Sequence, residues 1–299
     1  MDAIVGFFSV ALLTATLRSA TPLVFAAMGG LLSERSGVTN IALEGLMLLG
    51  AFAAASGAYL TGNALLGLLV GVLAGMLGAL VFGLWAIGLR ADQIVAGTAI
   101  NLLGLGLTAF LVQRIWNQAG SSPLVASLPS FRLGGSTLNV LVPLAFLAVP
   151  VVHWVLFKTT GGLRLMAAGE SPRAAESVGI DVPRYRYAAV LASGLLAGLG
   201  GAYLSIGDLS QFTTNMTAGR GFIALAAVIF GNWTPLGTLG AALLFGFAQA
   251  LRFQVQALNW PIPQDLLIAL PYLVTLLAVT GLVRNSQPPA GLGKHATSD

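Results

Sequence analysis

The sequence contains no cysteine, which excludes disulfides, thiol nucleophiles and cysteine-ligated metal sites. Charge is nearly as scarce: 8% of the 299 residues are Asp, Glu, Lys or Arg, against roughly a quarter in soluble domains. With 57% hydrophobic residues and a mean hydropathy of +0.88, a soluble fold is excluded. Histidine occurs only as His153 and His295, each without carboxylate companions at ligand spacing, so no metal site is expected. No GxxxxGK[ST] run is present to cradle ATP phosphates. Nucleophile elbows and paired catalytic carboxylates are missing too, so nothing marks the chain as an enzyme or as the holder of a cofactor. The N-terminal MDAIVGFFSV has neither a basic leader nor a small-residue cleavage site and reads as the start of a first span.

What the chain does have is a succession of apolar runs, the mark of an all-α polytopic membrane protein. They fall at 3–17, 19–32, 41–60, 64–89, 93–112, 139–157, 187–207, 219–231, 235–251 and 265–283. A span needs about 20 residues, so 41–60, 64–89, 93–112, 139–157, 187–207 and 265–283 stand as spans. The first two runs are short and read either as two spans or as one helix broken around Arg18 and Pro22. The runs 219–231 and 235–251, joined by Asn232-Trp233-Thr234-Pro235, read as two short spans or a re-entrant hairpin. The expectation is about eight to ten membrane-embedded helices. Gly67, Gly71 and Gly75, and likewise Gly194 and Gly198, recur every four residues, a stripe that lets helix backbones approach closely. No strong internal repeat is visible.

The most polar stretch is 158–186, KTTGGLRLMAAGESPRAAESVGIDVPRYR, with eight charged residues, five of them basic. Placing it in the cytoplasm puts Arg35, Arg90, Lys158, Arg164, Arg173, Arg184, Arg186, Arg284 and Lys294 on that side, nine of the 14 basic residues. Arg18, Arg114, Arg132, Arg220 and Arg252 fall outside or near it. This is the positive-inside bias, and it accounts for a pI near 9.9 without invoking nucleic acid. The loop at 113–138 then faces outward. Residues 1–284 form one transmembrane domain, and 285–299, polar and rich in Pro and Gly, read as a disordered cytoplasmic tail.

Within 158–186 lies a short helix signal. Ser171 suits an N-cap and Pro172 the first helical position, where its missing N–H is no loss. Ala174, Ala175, Glu176 and Val178 supply about two turns, and Gly179 is a natural stop. Taken alone, the stretch is either a docking knob for a soluble partner or a solvated loop.

Polar residues inside spans usually face a bundle interior or a pathway. Asn40 and Glu44 stand four apart at the start of 41–60. Gln93, Gly97 and Asn101 repeat that spacing at the start of 93–112, with Thr98 beside them, so each set shares one helix face. They read as the polar wall of a solute pathway or as interhelical hydrogen bonds, Glu44 being also suited to a helix N-terminus. Asp208 and Arg220 flank an outward loop and are placed to form a surface pair.

Four stretches carry a resemblance: SERSGVTNIALEGLMLLGAFAAA (33–55), ADQIVAGTAINLLGLGLTAFL (91–111), GLRLMAAGESPRAAESVGIDVPRYRYAAVLASGLLAGLGGAYLS (162–205) and GRGFIALAAVIFGNWTPLGTLGAALLFG (219–246). They resemble permease subunits of bacterial ABC importers, in the superfamily serving branched-chain amino acids, ribose-type sugars and nucleosides. GVTNIALEG and GTAINLLGLGLT are most similar to the nucleoside (riboside) permeases, and the short N-terminus to the smaller of their two paired permeases. The resemblance implies a type II importer-like fold in the bacterial inner membrane. It also implies a second permease subunit that is a larger homologous chain, and a substrate-binding lipoprotein or periplasmic protein. Cytoplasmic ATPase subunits would hold the ATP and Mg. Glu170, Ser171, Pro172, Arg173, Ala174, Ala175, Glu176, Val178 and Gly179 would then form the coupling helix that seats in the ATPase. A simple-sugar importer is the alternative within the class. A stand-alone secondary transporter would need inverted repeats and buried coupling carboxylates, for which Glu44 is the one candidate.

Overall fold

A computed structural model describes residues 10–133, 136–257 and 286–294. Among them, seven helices are long and apolar enough to cross a membrane. The expected span 265–283 lies outside the described residues.

The chain begins with α1 (Val10–Arg35), which runs unbroken through Arg18 and Pro22, so the two short apolar runs are one long helix. After Arg35 the backbone does not turn straight back into a helix. Residues 36–42 are non-helical, opening on Gly37 at φ +90°, and α2 (Leu43–Thr61) starts only after them. Gly62 then takes the left-handed conformation as a C-cap and Asn63 caps α3 (Ala64–Gly83), which runs on through a π-helical turn to Gly88. Asp92 accepts from the Ile94 and Val95 N–H groups and opens α4 (Gln93–Trp116).

The following connection holds a small antiparallel hairpin, β1 (Ser130–Leu133) and β2 (Ser136–Asn139), with Phe131 opposite Leu138. Then come α5 (Leu141–Lys158), α6 (Thr160–Glu170), α7 (Pro172–Ser177) and α8 (Val182–Ala202), the last continuing as a π-helical segment to Leu209. The apolar helix α9 (Arg220–Phe230) has 11 residues and α10 (Pro235–Ala257) has 23. At 1.5 Å per residue α9 is only about 16 Å long, half of a bilayer's hydrocarbon thickness. It hangs between the middle of the bundle and the end that carries α6 and α7, called here the basic end.

Burial fixes the layout. In its most apolar stretch α8 is 78% buried, against 28% for α4. Thus α8 is the central post, packed on α1, α2 and α3, while α4 presents Leu102, Leu103 and Phe110 outward. The small-residue stripes make this closeness possible. A Cβ at Gly71 would lie 2.8 Å from the Gly50 carbonyl, and one at Gly198 would lie 2.9 Å from that of Gly71. At such approaches the backbones of α2, α3 and α8 touch, which is how helices associate where there is no water to expel.

The stretch 158–186 is more structured than the sequence indicates, because α6 precedes the short helix. Its start is capped by Thr159, whose hydroxyl accepts from the Gly162 N–H. Pro172 does occupy the first turn of α7 and Gly179 stops it at φ +83°. Ser171, by contrast, makes no side-chain cap bond. Its backbone N–H is already the last donor of α6, to the Ala167 carbonyl, so the residue is a hinge between two helices.

The segment 286–294 departs from the expectation of a disordered tail. It lies against the basic end, with the Gly291 N–H on the Gly169 carbonyl (2.8 Å) and the Gly293 N–H on that of Gly37 (3.0 Å). The Ala290 N–H reaches Glu170 Oε2 (3.1 Å) and the Gln287 N–H reaches Asn232 Oδ1 (2.9 Å). Pro and Gly here do not signal disorder; they fit a strap too close to α6 for larger side chains, since a Cβ at Gly291 would lie 2.6 Å from the Gly169 carbonyl.

Candidate functional site

Four of the five polar residues read as a pathway wall or as interhelical ties, all but Thr98, hydrogen-bond to neighbouring segments. Non-helical backbone at membrane depth must find hydrogen-bond partners inside the protein. The stretch 36–42 is such backbone, and the polar stripe of α4 serves it. Gln93 Oε1 accepts from the Thr39 N–H (2.7 Å), and Asn101 Nδ2 donates to the Ile41 carbonyl (2.9 Å). Asn101 Oδ1 takes the Gly45 N–H (2.7 Å). Gly97 sits between them against Ile41 and Ala42. Asn40, fully buried, donates to Ser193 Oγ at 2.8 Å and accepts from the Ala42 N–H. Thr98 is exposed on the outer face of α4, its hydroxyl turned back to the Ile94 carbonyl.

Glu44 carries the most bonds. Its Oε1 accepts from Thr217 Oγ1 (2.6 Å) and the Gly219 N–H (2.8 Å), and its Oε2 from the Gly221 N–H (2.7 Å). A carboxylate thus caps the N-terminus of the half-length helix α9, where its charge is favoured and the first-turn donors need partners. Asn40, Glu44, Gln93 and Asn101 therefore tie irregular backbone together, which fits the hydrogen-bonding alternative for these residues.

A cavity that opens in the bundle is lined by residues whose grouping the sequence did not reveal. It has a volume of about 400 Å³ and lies between α1, the end of α8, α9 and α10. Arg18 stands on its wall and bonds Asp208 Oδ1 through both Nε (3.2 Å) and Nη2 (2.6 Å). Tyr203 is beside them, and Arg220 is at the first position of α9. The expected Asp208–Arg220 pair is absent because Arg18 holds the carboxylate. Arg220 Nη1 instead turns back to the carbonyls of Met216 (2.9 Å) and Thr217 (3.1 Å). A smaller cavity of about 160 Å³ shares Arg18, Tyr203 and Asp208 with the first. One signal was available: an arginine inside an apolar helix is expensive and marks function by default. Reading Arg18 as a helix break hid it.

At the basic end, the start of α7 is held from several sides. Arg35 Nε donates to the Trp233 carbonyl (2.7 Å) and Trp233 Nε1 donates to Glu34, while Arg35 Nη1 lies 3.9 Å from Glu170. Ala175 faces inward with Ala168 and Val182, whereas Arg173, Ala174, Ser177 and Val178 are exposed. Ala175 is thus packed inside, and the opposite side of α7 faces away from the protein. Among the described residues no group of three His, Asp or Glu is placed to hold a metal.

Long apolar helices, a half-length helix capped inside the bundle and an ion pair beside a cavity make this a multi-pass membrane protein with a polar site. Comparison with known proteins makes this specific. The chain belongs to the family described as branched-chain amino acid transport system / permease component, whose profile matches residues 12–279. It is 41% identical to the guanosine ABC transporter permease protein NupQ of Bacillus subtilis over 93% of this chain and 94% of that one. The nucleoside ABC transporter permease protein NupC of Lactococcus lactis is 37% identical, over 87% of this chain and 88% of that one. A putative glucose ABC transporter permease protein of Haloferax volcanii is 39% identical over 84% and 80%. No solved structure matches the chain significantly.

Proposed function

We propose that the chain is one permease subunit of an ABC importer for nucleosides in the bacterial inner membrane, with the basic end in the cytoplasm. A second, larger permease chain completes the pathway. A substrate-binding lipoprotein or periplasmic protein delivers solute, and separate ATPase subunits carry ATP and Mg. The observation that carries the reading is the cavity ending on Arg220 at the N-terminus of α9. There a solute meets a fixed cation and a hydrogen-bonding ion pair. Relatives named for nucleosides support the substrate class. Coupling enters through Glu170, Ser171, Pro172 and the exposed side of α7. Glu44, the one carboxylate a stand-alone transporter would rely on, is occupied by three donors of the 217–221 segment.

The test is reconstitution with the partner subunits in proteoliposomes. ATP-dependent accumulation of labelled guanosine is the expected result, and accumulation of glucose in its place would assign the chain to sugars. Orientation has its own measurement. The chain has no cysteine, so Ser177→Cys should react with an impermeant thiol reagent only from the cytoplasmic side and Ser127→Cys only from outside. Labelling of Ser177→Cys in intact cells would reverse the orientation.

A further inference from the structure

Arg18, Tyr203 and Asp208 line two neighbouring cavities that differ in chemistry. The smaller is rimmed by the hydroxyls of Ser127, Ser130, Thr137 and Ser210. Ser127, Ser130 and Thr137 are exposed and Ser210 is half-buried, so the hydroxyls are open to solvent and to a guest. The larger is lined by Pro22, Leu204, Leu209, Met216 and Phe253, with Ser19 and Arg220 adding polar groups to the three it shares. One compartment is thus rimmed mainly by hydroxyls and the other is mainly apolar, with Arg220 at its far side.

Asp208 stands at the junction with unused capacity. Both Arg18 bonds land on Oδ1, so Oδ2 is without a partner among the described residues. An ionised carboxylate oxygen is an acceptor only. The guest group that suits it is therefore a pair of donors, such as the vicinal hydroxyls of a ribose, the match an acidic residue makes to ribose hydroxyls in dinucleotide-binding folds. Arg220 has the complementary surplus. Nη1 is engaged with backbone carbonyls, while Nε and Nη2 remain as donors for ring nitrogens or a ring carbonyl. A flat heterocycle fits the apolar compartment, where about 400 Å³ is ample. A phosphorylated guest is disfavoured, because its charge would approach Asp208 and Arg18 is already neutralised.

We infer that the double cavity is a riboside site, with the sugar in the hydroxyl compartment, its 2′,3′-diol on Asp208 and the base in the apolar compartment toward Arg220. The inference rests on the importer reading above and adds to it the division of labour and the residue that reads the sugar. Asp208 is a specificity-determining residue on this assignment, since a sugar without the diol leaves its free oxygen unanswered. Arg18 holds the carboxylate in place.

The experiment uses the complete reconstituted transporter and two probes, labelled guanosine and its 2′,3′-dideoxy analogue. Each rate is divided by the wild-type rate for the same probe, so the binding protein's own preference cancels. Asp208→Asn should lower guanosine uptake at least about tenfold and analogue uptake less than threefold, because the amide keeps one acceptor but points a donor at the diol. Thr137→Val should lower guanosine uptake alone, and it serves as the reading if Asp208→Asn does not assemble. Ala15→Trp, which fills the larger compartment, should stop both probes. Equal loss of both probes in Asp208→Asn, or no loss, overturns the diol assignment while Ala15→Trp still blocks. Full uptake of both probes by Ala15→Trp overturns the importer pathway itself.

Discussion

A chain ending at Asn285 should insert and bind its ATPase normally yet import nucleoside at less than a tenth of the full-length rate. The strap 286–294 fastens the junction of α6 and α7 to two other elements at once. Ala290 and Gly291 hold Glu170 and Gly169, and Gly293 holds Gly37. Each such bond is worth about 0.5–1.5 kcal/mol net, far too little to decide whether a bundle of long apolar helices assembles. It is enough to decide where a short helix pair sits. Gly37 opens the stretch 36–42 that leads to Glu44, and Glu44 caps the helix bearing Arg220. Through the strap, movement of α7 reaches the cavity by a chain of direct bonds. Without it, ATP hydrolysis should continue while uptake falls. Gly291→Val should do the same with one residue, because its side chain would meet the Gly169 carbonyl and the Pro172 ring. Full uptake by both variants would show that the strap transmits nothing.

What could be read beforehand follows from the kind of signal each feature leaves. Long apolar runs and four-residue glycine spacing are periodic and local, so the spans and the packing of Gly67, Gly71, Gly75, Gly194 and Gly198 are legible. So is α7, whose Pro172 and Gly179 punctuate it. Composition misleads at 286–294, because close backbone contact and disorder both select Gly and Pro. Spacing alone also leaves Asn101 ambiguous. Its face is shared with Gln93 and Gly97, but a pathway and a non-helical strip of backbone present the same demand for amides. Only the position of 36–42 distinguishes them. The larger cavity was illegible for a topological reason: Arg18, Tyr203, Asp208 and Arg220 span some two hundred positions of the chain, and a helix thought broken at Arg18 could not place it. Ala175 shows the same limit at smaller scale, since a six-residue helix has too few turns for periodicity to say which side is buried.

Glu44→Ala should be the most damaging single change in the chain, and it should act on assembly before transport. The carboxylate accepts three hydrogen bonds, from Thr217 Oγ1 and from the Gly219 and Gly221 N–H groups. Truncation leaves these donors facing a methyl group. Gly221 packs directly on the backbone of Leu43 and Glu44, so there is little room for water to replace the lost oxygens. A buried donor deprived of its partner costs about 1–3 kcal/mol, and removing the negative charge forfeits a further share at the N-terminus of α9. Several kcal/mol at mid-bundle exceeds what one amide tie such as Asn101 supplies. Glu44→Gln should be milder, since one oxygen still accepts; yet its NH₂ must replace the other oxygen and confront an N–H group donor to donor. The expected order of thermal stability in detergent is wild type, then Gln, then Ala, with the yield of assembled complex following the same order. Uptake per assembled complex should change far less than the yield. If Glu44→Gln were instead as stable as wild type but unable to import, the carboxylate would be acting on the solute, and the capping role assigned to it would have to be given up.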